Sequence, residues 1–269
     1  DHCEAQGAGG DRMSKPKGKT RALKDPTTAR PTMQGRTSAR RPPLALRKAV
    51  CLANIEISRR GLALFTFGNA SAIDRASGLV VIKPSGVPYA KLKPADLVVT
   101  DLDGRVVVGK LRPSTDLATH LELYRRWPSV GAVVHTHSHF ATVWAQAAQE
   151  IPCYGTTHAD YFNGPVPVTR ALTAGEIARD YELNTGRVIV ERFDGEPNTM
   201  PAVLVAGHAS FAWGPTVEAA VETASVLEEV ARMAFHTAVL NPATEPLSQA
   251  MLHKHFWRKH GPAAYYGPI

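Results

Sequence analysis

From residue 44 onwards apolar side chains recur at helical spacing through Leu46, Val50, Ala53 and Ile57, and Gly61 stands where such a helix would stop. The spacing predicts an amphipathic helix over 44–60. Three segments rich in β-forming residues follow at 62–67, 78–82 and 97–108, the last interrupted by Asp103-Gly104, a dipeptide suited to a hairpin turn. Ser114 is placed to cap a helix running to about Trp127, where Pro128 ends it. The run 130–137 reads as a buried strand and 203–205 as another. Thr216 opens a long helix to about Leu240 with Val217, Val221, Ala224, Leu227 and Ala231 on one face. No repeat or internal linker breaks the pattern. It predicts a single α/β domain with a central mixed or mainly antiparallel β-sheet flanked by helices.

The first 41 residues depart from this pattern. Gly, Pro, Ser, Thr, Lys and Arg dominate there, a composition that cannot offset the entropy of ordering. We expect a disordered basic extension over 1–41 and a folded domain over 42–269. The extension also explains the charge. The chain has 31 Lys and Arg against 24 Asp and Glu, a net of +7, yet residues 1–41 alone hold ten basic and four acidic side chains. The folded part is therefore close to neutral, so nucleic acid is not an expected partner, and the extension reads as dispensable rather than as a nucleic-acid arm. With 44% hydrophobic and 20% charged residues, a collagenous or wholly disordered chain is excluded. No apolar run is long enough to span a membrane, and the N-terminal residues lack the apolar core of a secretory signal. Cys3, Cys51 and Cys153 are scattered and outside any CxxC pattern, against a disulfide scaffold and in favour of a reducing cytoplasm.

Candidate chemistry centres on Val133-Val134-His135-Thr136-His137. Two imidazoles at i and i+2 on a strand share a face about 6.6 Å apart, twice the strand rise, close enough for both to reach one metal ion. Such a pair is shared by many unrelated metal sites. His208 strengthens it, because it too follows a short apolar strand and strand ends often converge on one side of a sheet. Asp116, in the first turn of the expected helix, could cap that helix, complete a metal shell or act as a base. Several polar turns could hold a phosphate: Gly68-Asn69-Ala70-Ser71, Lys83-Pro84-Ser85-Gly86, and Ser114-Thr115 at a helix start. Taken singly, each is also ordinary turn chemistry. No Walker or GxGxxG motif points to a nucleotide.

Those stretches, together with Arg112-Pro113-Ser114-Thr115-Asp116, His135-Thr136-His137-Ser138, Gly155-Thr156-Thr157-His158-Ala159-Asp160-Tyr161-Phe162, Lys259-His260-Gly261 and Ala264-Tyr265-Tyr266-Gly267, closely resemble the L-ribulose-5-phosphate 4-epimerase family. That family belongs to the class II aldolase and adducin-head superfamily, and the resemblance runs from about residue 42 to the C-terminus. It implies a three-layer α/β/α domain and one divalent metal per subunit, zinc ahead of manganese, held by His135, His137, His208 and Asp116. It implies a sugar-phosphate site at Gly68, Asn69, Ser85, Gly86, Ser114 and Thr115, with Lys83 alongside. Asp160 and Tyr266 match the two proton-transfer residues, and Thr156, Glu182 and His255 match supporting positions. The implied reaction cleaves C3–C4 of a phosphorylated pentulose by a retro-aldol step, rotates the aldehyde and rejoins it. The implied assembly is a homotetramer with sites between subunits.

Three positions depart from the family. Thr115 replaces a second Ser and keeps its hydroxyl. Ala206 stands where a His often precedes the metal ligand by two residues, which puts an outer contact of His208 in question. His139 replaces a usual basic residue. Two other functions compete. A class II aldolase would release dihydroxyacetone phosphate and an aldehyde, but such relatives typically carry Glu where this chain has Asp116. A non-catalytic adducin-like head would have eroded metal ligands, whereas all three imidazoles are present.

Overall fold

A computed structural model describes residues 44–193, 195 and 197–266, so the extension expected at 1–41 lies outside the described residues. The first helix, α1 (Leu44–Arg59), buries Val50, Ala53 and Ile57 as the spacing requires. It ends in two hydrogen bonds, from the Gly61 amide to the Ser58 carbonyl and from the Leu62 amide to the Ile57 carbonyl, with Gly61 at φ 73°. This is the left-handed exit that glycine favours. It also overturns the strand expected at 62–67. The Leu62 amide is spent on closing the helix, Phe65 sits at φ 51°, and a turn closes from the Phe67 amide to the Leu64 carbonyl, leaving Leu64, Phe65 and Phe67 exposed.

The chain then forms β1 (Asn69–Asp74), β2 (Leu79–Ile82), β3 (Val98–Thr100) and β4 (Val106–Val108), the last two joined through the expected Asp103-Gly104 turn. Next come α2 (Leu117–Arg126), β5 (Ala132–Thr136), α3 (His139–Gln146), α4 (Thr156–Ala159), α5 (Ala174–Ala178) and α6 (Tyr181–Glu191). The hairpin β6 (Ala202–Leu204) and β7 (Ser210–Gly214) leads into α7 (Val217–Leu240), whose start is capped by Thr216 accepting from the Ala219 amide, and α8 (Gln249–His260) follows. Among the described residues no helix is long and apolar enough to cross a membrane.

The seven strands form one sheet in the order β4-β3-β2-β1-β5-β7-β6, with every pair antiparallel. Alternation along the strands sorts their side chains into two cores. Ala70, Val81, Val134, Leu204 and Ala212 pack with Val50, Ile57, Ala141, Val217 and Ala220 of α1, α3 and α7. Val80, Ile82, Val133, Val203 and Phe211 pack with Leu117, Leu121, Tyr124 and Ile189 of α2 and α6. The result is the three-layer α/β/α arrangement. One expectation shifts locally: Ser114 does not cap α2, which begins at Leu117 with Asp116 at the capping position.

Candidate active site

Cross-strand register lines up Asn69 of β1, His135 of β5 and Phe211 of β7, and directly opposed residues of antiparallel strands share a face. His135 is thus buried on the α2/α6 side, stacked on Phe211 at 4.2 Å between ring centroids. Its Nδ1–H donates to the Ser210 carbonyl at 2.9 Å, which sets the tautomer and frees Nε2 as a donor to a metal. His137 lies just past the strand with the same parity and is exposed. His208 arrives from the β6–β7 turn, closed by hydrogen bonds from the Val205 amide to the Ala209 carbonyl and from the His208 amide to the Val205 carbonyl. Ring centroids of the three imidazoles lie 5.0, 5.0 and 4.9 Å apart, and their donor atoms meet within 4.8 Å. Burial, and then the neighbouring His135 and His137, push the His208 pKa down to about 4; although His137 is exposed at the surface, desolvation on the covered side of its ring, and then His135, lower its pKa. Neutral imidazoles carry the lone pairs a metal needs. Three of them converging beside an open face fit a divalent metal ion.

Asp116 is not within that donor set. Its carboxylate accepts from Asn69 Nδ2 at 2.7 Å and from Ser114 Oγ at 3.3 Å, and it makes no cap bond to its own helix. Burial raises its pKa, but His135, His120, the Asn69 hydrogen bond and His208 more than offset this, so the net shift is downward. One turn along α2, His120 is fully buried, with Nδ1 2.7 Å from Ser71 Oγ, which also meets Tyr124 OH at 2.7 Å. This buried chain beneath the imidazoles had no signal in the sequence beyond the helical spacing of Asp116, His120 and Tyr124.

The expected phosphate turns come together beside Asp116. Asn69 Nδ2 donates to Ser114 Oγ at 3.0 Å, and Lys83-Pro84-Ser85 pairs with 112–114 through the Ser114 amide to Lys83 carbonyl and Ser85 amide to Arg112 carbonyl bonds. Lys83 is buried, which lowers its pKa, with Nζ 4.9 Å above the Tyr89 ring. Tyr89, which the sequence did not single out, also reaches the Phe67 and Gly68 carbonyls at 2.7 and 2.8 Å. Gly68 has φ 79°, and a Cβ there would lie 2.6 Å from the His135 carbonyl oxygen, so this turn demands glycine. Gly86 has φ 71°, while Ser85 and Thr115 are exposed.

The expected proton carriers gather elsewhere. Asp160, just after α4, accepts from His255 Nδ1 at 3.0 Å and from the Arg258 guanidinium at 3.1 to 3.2 Å. Tyr266 lies under the same guanidinium, 4.4 Å away, and Thr156 carries the carbonyl that accepts from the Asp160 amide. Among the described residues no hydrogen bond, ion pair or ring contact joins this group to the imidazoles. Glu182 sits in the first turn of α6, where its carbonyl accepts from Thr119 Oγ1 at 2.5 Å. Its neighbour Tyr181 answers the question raised by Ala206: the Tyr181 hydroxyl stands 3.4 Å from His208 Nδ1.

Comparison with known proteins agrees with this fold. L-ribulose-5-phosphate 4-epimerase UlaF of Salmonella paratyphi B is 56% identical over 223 residues, spanning 82% of this chain and 98% of its own length. UlaF of Salmonella typhi matches at the same identity and coverage. Among solved structures, an L-fuculose 1-phosphate aldolase shares the fold at TM-score 0.69 and 24% identity, covering 81% of this chain and 97% of its own. The L-fuculose-1-phosphate aldolase of Thermus thermophilus aligns at TM-score 0.59 and 26% identity, over 74% and 99% of the two chains. Residues 48–235 match the family described as Class II Aldolase and Adducin N-terminal domain, and with most of the folded chain inside that match, the protein belongs to this family.

Proposed function

We propose that this protein interconverts L-ribulose 5-phosphate and D-xylulose 5-phosphate by inverting C4, with residues 42–269 as its catalytic domain. The observation that carries this is the meeting of His135, His137 and His208 in a chain 56% identical to L-ribulose-5-phosphate 4-epimerases. These imidazoles would hold the metal, zinc ahead of manganese, with Asp116 beside them as the further carboxylate. When bound, the ion supplies Lewis-acid stabilisation of the negative charge that develops on the C2 and C3 oxygens.

The chain's own residues do the rest. Asn69, Ser85, Ser114 and Thr115, with the Gly68 and Gly86 turns and the Lys83 charge, hold the phosphate and so fix which end of the sugar faces the imidazoles. A base takes the proton from the C4 hydroxyl, the C3–C4 bond breaks, and its electron pair passes into the C2–C3 enediolate. Rotation of the glycolaldehyde phosphate offers its other face. Rejoining then returns a proton to the C4 oxygen from the opposite side, so two proton carriers are needed. Asp160 and Tyr266 are the two, with Thr156, His255 and Glu182 in support. The absence of contact between them and the imidazoles within one chain supports sites completed by a neighbouring copy, and the resemblance makes that assembly a homotetramer. The implied location is the cytoplasm.

The test is to incubate metal-analysed protein with L-ribulose 5-phosphate and assay D-xylulose 5-phosphate against free fragments. Epimer without fragments is expected; accumulating dihydroxyacetone and glycolaldehyde phosphate would mark an aldolase instead.

A further inference from the structure

We infer that Arg258 is the positioning residue that holds both proton carriers as one unit. The inference rests on the epimerase reading for its assay, but the geometry stands by itself. Three separate contacts converge on this side chain and its backbone. Its guanidinium forks onto Asp160, with Nε 3.2 Å from Oδ1 and one terminal nitrogen 3.1 Å from each carboxylate oxygen. Its Cζ lies 4.4 Å from the Tyr266 ring centroid, within cation–π range. Its own carbonyl accepts from the Tyr265 and Tyr266 amides at 2.9 and 3.1 Å, folding the chain after α8 back over the helix end.

The sequence accounts for this convergence. His255 and Arg258 are three apart on α8 and present one face, so both reach Asp160 Oδ1. Gly261 ends the helix, its amide bonded to the Trp257 carbonyl, and Pro262 turns the chain so that Tyr266 returns to Arg258. Asp160 has a further tie, since His260 Nε2 lies 2.8 Å from its backbone carbonyl. Among the described residues the guanidinium is the one side-chain group that has a hydrogen bond or ring contact with each of Asp160 and Tyr266, and the ion pair is largely sheltered, with 23% and 14% of the two side chains exposed. A planar fork fixes a carboxylate in direction as well as distance, which an ammonium cannot do. The Tyr266 side chain is half exposed, so loss of the guanidinium removes at once the fork that aims the Asp160 carboxylate and the ring contact that holds the Tyr266 side chain, while His255 on Oδ1 and the backbone bonds to the residue 258 carbonyl remain.

The test uses the metal-loaded full chain. Arg258→Met should lower kcat about 100-fold, the scale of a misplaced catalytic group, with KM and metal content within about threefold of the parent. Added guanidinium should restore at least a tenth of the lost turnover. The same substitution made on Asp160→Asn should cost much less than it does alone, because the two act through one step. If Arg258→Met fails to fold, Arg258→Lys carries the measurement, and about a tenfold loss is expected because the fork is gone while the charge remains. Parent turnover in either variant, or full additivity with Asp160→Asn, would overturn the positioning role. If the parent protein itself leaves L-ribulose 5-phosphate unchanged, the epimerase assignment fails, and the double-substitution comparison is then read on whichever sugar-phosphate cleavage the protein performs.

Discussion

Acid should destabilise this fold through His158, a buried ring that no catalytic role requires. His158 lies in α4 with Nε2–H donating to the Gly164 carbonyl at 2.8 Å and with Phe162 edge-on at 5.5 Å. Its other nitrogen, Nδ1, is buried without a partner, so a second proton would create a buried donor with nothing to bond. Burial therefore lowers its pKa to about 4, although the Gly164 hydrogen bond opposes the shift. In the unfolded chain an ordinary His titrates near 6.5. Between these values the unfolded state binds the extra proton and the folded state does not. The stabilising contribution is accordingly complete above about pH 6.5, declines as pH falls, and is gone near pH 4. At about 1.4 kcal/mol per unit, the gap amounts to about 3 kcal/mol. His158→Gln keeps an N–H for Gly164 and removes the titration. Urea unfolding of metal-free protein from pH 8 to pH 4, at one protein concentration, gives the difference between parent and variant at each pH. That difference should be flat above pH 7 and move against the parent by about 3 kcal/mol by pH 4. Parallel curves over the whole range would refute the assignment of acid sensitivity to this ring.

Three further outcomes follow from the site. His137→Ala should lose bound metal and turnover together, and full metal occupancy with normal activity in the purified variant would remove His137 from the metal site. Gly68→Ala should cost about 2 to 4 kcal/mol in chemical denaturation, combining a left-handed backbone with a Cβ 2.6 Å from the His135 carbonyl. Tyr181→Phe should weaken metal affinity about tenfold while leaving metal-free stability unchanged, as chelator competition would show. Unaltered affinity would mean that the hydroxyl 3.4 Å from His208 does not orient it.

Several features were legible in the sequence because their causes are local. Apolar spacing gave α1 and α7, Asp103-Gly104 gave the β3–β4 hairpin, and the i, i+2 pair at His135 and His137 required only that the segment be a strand. The three-layer α/β/α form followed from the resemblance. Local pattern failed at 62–67, where β-forming side chains were overruled by the backbone bonds that end α1 at Gly61. It failed again at Ser114, which lies two residues before the capping position at Asp116 and whose hydroxyl meets Asn69 and Asp116. Strand β7 escaped notice because Ser210–Gly214 is short and lacks a clear alternating signal, although it supplies the carbonyl that orients His135.

What the sequence determined was which side chains are available and which faces they share within a helix or strand, since those depend on neighbours a few residues away. His208, more than seventy positions from His135, was named from the sequence, but only the tertiary structure brings its ring within 4.8 Å of the other two; it alone decided that the Tyr181 hydroxyl stands 3.4 Å from His208 Nδ1, and that Asp160 and Tyr266 meet at Arg258 with no contact to those imidazoles among the described residues. Such meetings depend on sheet order and on the packing of helices against two faces, and those are properties of the whole chain that no local spacing encodes.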